Sequence, residues 1–177
     1  TFANALQVVE AMGSDRVLFL PDKYLGAHVV KHTSVELILW EGACEVHERF
    51  TSHQVQQVRD KFKAAVVAHP ECPPDVLDSA DFVGSTTAMS SWLRRERPER
   101  VALITECSMA DNLRVEFPDI DFVKPCNLCT HMQRITLPGI YRCLRDMSPE
   151  VNVPAEIAER ARRALERMLA VGRRDAV

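Results

Sequence analysis

The stretch Gly42-Ala43-Cys44-Glu45-Val46-His47 sets a thiol and an imidazole three residues apart, just after the apolar run VELILW (35–40). A cysteine in such a place packs into a core, attacks as a nucleophile or ligates a metal, and the local residues leave all three readings open. His69-Pro70-Glu71 begins at the last residue of a second apolar run, AAVVAH (64–69). Pro70 biases His69 towards extended backbone and stiffens the presentation of His69 and Glu71. A rigidly held imidazole and carboxylate suit general acid–base work, and a solvated loop with a turn proline is the plainer alternative. Gly84-Ser85-Thr86-Thr87 offers backbone N–H groups and hydroxyls at a helix start, where they can hold a carboxylate or phosphate. An ordinary Ser/Thr N-cap explains it equally well. Thr105 closes the run VALIT (101–105) in the same kind of position.

Cys126-Asn127-Leu128-Cys129 is a CxxC. It fits a zinc site, a redox pair, an iron–sulfur segment or two structural thiols. A zinc ribbon needs a second CxxC, and the sequence has none. Cys72, Cys107 and Cys143 read as structural or adventitious. The basic run RRERPER (94–100) reads as a solvated helix end and turn.

These residues share one kind of address. Short runs rich in Val, Ile, Leu and Phe (16–21, 35–40, 64–69, 81–84, 101–105 and 120–124) predict buried strands. Helical patterns lie near 3–12, 24–32, 51–63, 74–80, 86–97, 108–117, 135–146 and 155–171. In the last of these Ile157, Ala161, Ala164, Leu165, Met168 and Leu169 share a face. Alternating strand and helix predict a parallel sheet covered on its faces, with ligands gathered at the carboxyl ends of the strands. The cysteines, histidines and hydroxyls above follow those ends.

Composition bounds the rest. The 177 residues are 46% hydrophobic and 27% charged, enough for one full core or two small α/β units. A net charge of -3 gives no electrostatic footprint for nucleic acid. No apolar stretch approaches the roughly 20 residues of a membrane span. The six cysteines come without a secretory signal, which predicts a cytoplasmic, reducing setting.

LFLPDKYLG, WxGxCxVHERF, HPECPPxV, ADFVGSTTAM, TECSMADNL, PCNLCTHMQRITL and PEVxV follow one another in an order that resembles quinolinate synthase, from about residue 3 to 170. The resemblance implies repeated three-layer α/β/α modules with short parallel sheets, set around a pseudo-threefold axis in the complete enzyme. It implies a [4Fe–4S] cluster held by three cysteines, with one iron left open as a Lewis acid. It implies a transferase-class condensation of iminoaspartate with dihydroxyacetone phosphate to quinolinate, in de novo NAD biosynthesis. L-Aspartate oxidase or aspartate dehydrogenase would supply the iminoaspartate.

Carried over by position, Cys44 and Cys129 match cluster ligands, and Cys126 falls where some members have an extra cysteine. His69, Pro70 and Glu71 match the segment that contacts substrate, with Glu71 and His69 as catalytic candidates. Ser85 and Thr86 match the pair that holds a substrate carboxylate, and His47 and Thr105 match cavity-lining residues. Residues 1–43 then read as the end of a middle module, 44–128 as a complete module and 129–177 as a helical segment packing on an N-terminal module. The first cluster cysteine is expected upstream, so these residues alone are expected to be inactive. TFANA also lacks the serine hydroxyl of the family's TSSNA at Phe2 and Ala3. The alternative is a non-catalytic metal-binding or thiol-switch α/β protein using Cys126 and Cys129.

Overall fold

Valine-rich segments too short to be helices make the strands here, and the computed structural model, which describes residues 2–123 and 125–174, shows them all parallel. The chain divides into two compact units, Thr1–Cys129 and Thr130–Val177. In the first, a short 3-10 turn leads into α1 (Ala5–Ala11), β1 (Arg16–Phe19), α2 (Lys23–Val30) and β2 (Glu36–Leu39). Then come α3 (Ser52–Phe62), β3 (Ala65–Ala68), α4 (Pro74–Asp78), β4 (Phe82–Val83), α5 (Thr86–Glu96), β5 (Arg100–Ile104), α6 (Cys107–Glu116) and β6 (Asp121–Val123). The second unit holds α7 (Leu137–Asp146) and α8 (Ala155–Arg174). The strand expected over 120–124 ends at Val123, and Lys124 lies outside the described residues.

Four strands form one sheet in the order β4-β3-β5-β6. Because side chains alternate across a strand, each strand feeds two cores. Val66, Ala68, Ala102 and Ile104 face α3 and α4 through Phe50, Val55, Val58, Val76 and Leu77. Val67, Val101, Leu103 and Phe122 face α5 and α6 through Met89, Leu93, Leu113 and Phe117. The result is the expected three-layer α/β/α arrangement. Leu93 is fully buried in the second core. Leu93→Ala is expected to cost about 2–5 kcal/mol of unfolding free energy, measured by urea titration.

β1 and β2 form a separate two-stranded sheet with residues Leu18 and Ile38 in register. Here the expectation of buried strands holds on one face only. Phe19, Leu37 and Leu39 pack with α1 and α2, whereas Leu18, Ile38 and Trp40 are 58%, 46% and 57% exposed. Both helices lie on one side of these two strands, and the other side has no cover among the described residues.

The order of strands also fixes where a ligand can sit. From β3 the chain leaves through α4 to β4 on one side, and from β5 it leaves through α6 to β6 on the other. The carboxyl ends of β3 and β5 therefore flank a topological switch point, where connections diverge and open a crevice. His69 follows β3 and Thr105 follows β5.

Candidate metal centre at the strand ends

Three separate segments converge on that crevice. The loop after β2 brings Cys44 and His47, the loop after β3 brings His69 and Glu71, and the end of β5 brings Thr105. Gly42 makes the first approach possible, because a Cβ there would collide with the Pro21 carbonyl and lie 2.9 Å from the Trp40 ring. Beyond it, Glu48 N–H donates to the Cys44 carbonyl at 3.0 Å and turns His47 back over the cysteine.

His47 is the hub. Its Nε2 lies 2.9 Å from Thr105 Oγ1, and its Nδ1 lies 3.0 Å from Glu71 Oε2. The Nδ1 contact is an ion-pair approach without hydrogen-bond alignment, so this buried nitrogen has no hydrogen-bond partner. The ring stacks on His69 with centroids 4.4 Å apart and planes inclined by 15°. Potential ligand atoms of Cys44, His47 and Glu71 all lie within 4.8 Å of one another. His69 Nδ1 accepts the Glu71 N–H at 3.4 Å, which places the ring proton on Nε2.

The electrostatics sort the groups. Burial lowers the His47 pKa, but the Cys44 and Glu71 side chains outweigh it and push it up to about 9. Burial, aided by the neighbouring His47 charge, drops His69 to about 4. One imidazole of the stacked pair is therefore charged and the other neutral around pH 7. The Cys44 thiol sits below its ordinary pKa, held there chiefly by His47 against the opposing effect of burial. Cys72 is the opposite case, a fully buried thiol whose pKa burial raises strongly. A lowered thiol, a carboxylate and an imidazole whose ligand atoms lie this close are a donor set suited to a metal, which would displace the imidazole's second proton on binding.

Cys129 reaches the same region from the loop after β6. Cys44 and Cys129 both pack, half-buried, against the core beneath α3 and α4. Asn127 ties the two loops together, its Nδ2 donating to the Val46 carbonyl at 3.1 Å while its own carbonyl accepts the Cys107 N–H at 3.1 Å. Cys126 is joined by a disulfide to Cys107. The thiol-based alternative uses Cys126 together with Cys129 and takes Cys107 as structural or adventitious. The difference arises because the loop runs alongside the start of α6, bringing residues 19 apart in sequence into reach.

Ser85 and Thr86 stand outside these contacts. Ser85 Oγ caps α5 by accepting the Ala88 N–H at 3.3 Å, the plainer of the two readings, and Thr86 is exposed. They follow β4, whose end lies beside that of β3, with Gly84 N–H donating to the Ala68 carbonyl at 3.1 Å. Two buried carboxylates, Asp22 and Glu106, were not singled out from the sequence. The only signal was an acid at a strand exit before a helix, which is indistinguishable from a common N-cap.

A parallel three-layer fold with a Cys–His–carboxylate group at its strand ends defines an α/β protein with a candidate metal centre. The family model described as Quinolinate synthetase A protein matches residues 1–170. Quinolinate synthase of Agrobacterium fabrum is 56% identical over 97% of this chain and 50% of its own length. Quinolinate synthase 1 of Mesorhizobium japonicum is 53% identical over 97% of this chain and 53% of its own length. Quinolinate synthase of Caulobacter vibrioides is 48% identical over 96% of this chain and 47% of its own length. The chain belongs to the quinolinate synthetase A family, and it spans about half the length of these curated relatives. No helix among the described residues is long and apolar enough to cross a membrane.

Proposed function

We propose that this chain supplies part of a cytoplasmic quinolinate synthase, condensing iminoaspartate with dihydroxyacetone phosphate to quinolinate with loss of phosphate and water. The observation that carries the reading is the meeting of Cys44, His47 and Glu71 at one switch point in a chain of this family. Cys44 and Cys129 would hold an iron–sulfur cluster, for which thiolates are the usual protein ligands. When bound, that cluster supplies a Lewis-acidic iron for a substrate oxygen or carboxylate.

The remaining work falls to the chain's own groups. Glu71 accepts and returns protons through Oε2 during imine formation, isomerisation and dehydration, with His47 Nδ1 3.0 Å away from that oxygen. Neutral His69 donates from Nε2 to a substrate carboxylate. The N-terminus of α5, with Ser85 and Thr86, holds a second carboxylate where amide donors and the helix dipole favour an anion. Thr105 fixes the His47 ring through Nε2. Residues 1–43 would form part of a middle module, and 129–177 would pack on an N-terminal one.

The test uses the complete protein, purified without oxygen. Iminoaspartate formed in place from oxaloacetate and ammonia is mixed with dihydroxyacetone phosphate, and quinolinate is measured by mass spectrometry. Product is expected. An iron-loaded protein that makes none overturns the proposal.

A further inference from the structure

Asp22 and Glu106 are 3% and 9% exposed, and each stands just beyond a parallel strand as the N-cap of the next helix. Asp22 Oδ1 accepts the Leu25 N–H of α2 at 2.7 Å. Glu106 Oε2 accepts the Ser108 N–H of α6 at 2.7 Å. A cap needs only one oxygen, and serine or asparagine supplies it without the desolvation of a buried carboxylate. In both residues the second oxygen has another task. Asp22 Oδ2 accepts the Cys44 N–H at 2.9 Å, and Glu106 Oε1 accepts the Cys129 N–H at 3.3 Å. Each acid thus joins a helix start to a cysteine from a different loop. Cys72, by contrast, gives its N–H to the His69 carbonyl at 3.0 Å.

We infer that Asp22 and Glu106 are positioning residues for the two cluster thiolates, each clamping a cysteine's main chain to the end of a strand so that its Sγ is pre-aimed. This inference rests on the iron–sulfur reading above. The clamp acts on the backbone because a thiolate offers little else to hold, whereas a histidine ligand is oriented through its second ring nitrogen. Fixing the cysteine backbone in advance removes ordering entropy that ligation would otherwise cost.

The test separates capping from clamping. Asp22→Ser and Glu106→Ser keep a good helix cap and lose the second acceptor. In the complete protein, reconstituted with ferrous iron and sulfide, both variants are expected to lose iron to a chelator 10–100-fold faster than the parent. Their melting temperatures are expected to stay close to the parent's. In the apo protein, hydrogen exchange read on peptides is expected to rise around Cys44 in Asp22→Ser and around Cys129 in Glu106→Ser, each leaving the other cysteine unchanged. Parental iron retention, or exchange raised throughout the molecule, overturns the inference. A parent that takes up no cluster defeats the iron–sulfur reading instead, and local amide exchange then decides the clamp: unchanged exchange at both cysteines refutes it.

Discussion

Glu71→Gln in the complete enzyme is expected to lower quinolinate formation by about 10²–10⁴, the usual range for loss of a positioned acid–base group. Iron content is expected to stay at the parental level. The change keeps the shape of a side chain that is only 8% exposed. It removes the anion 3.0 Å from His47 Nδ1 and the site that takes up a proton. Turnover within a fewfold of the parent refutes the acid–base role. A fall in iron alongside turnover makes Glu71 a metal ligand instead, an option its proximity to Cys44 leaves geometrically available.

Cys44→Ala is expected to remove the cluster, with iron and its visible absorbance falling at least tenfold, as loss of a direct ligand must exceed loss of a supporting one. Among the described residues, Cys44 is the thiol that His47 holds below its ordinary pKa, and thiolate is the form that binds metal. Cys126→Ala provides the contrast. It breaks the bond to Cys107, leaves Cys44 untouched and is expected to retain iron. Zinc without iron, indifferent to Cys44→Ala, would favour the thiol-based alternative.

The strands were readable because each is a run of apolar residues too short for a helix. Val66–Ala68 and Val101–Ile104 announce buried strands without any partner in view. The one-sided cover of Leu18, Ile38 and Trp40 was not readable, since exposure depends on how many layers surround a strand. The residue types of the site were legible at the strand ends, but their grouping came only from the family resemblance and not from any local pattern. His47 and Glu71 are separated by all of α3 and β3, and His47 follows a strand of the other sheet, so only the tertiary fold brings their loops together. The Cys107–Cys126 bond escaped for the same reason, and so did the second use of Asp22 and Glu106. Local pattern shows that an acid caps a helix, but nothing local shows what its other oxygen meets.

All the chemistry of the four-stranded sheet leaves from one edge. At the opposite edge, Lys63 and Arg97 end α3 and α5 in left-handed conformation and turn the chain back into β3 and β5. Those reversals carry none of the residues assigned a role above. They are the natural attachment points for a fluorophore, an affinity handle or a short insertion, because such an addition lies a full strand's length from the reacting groups.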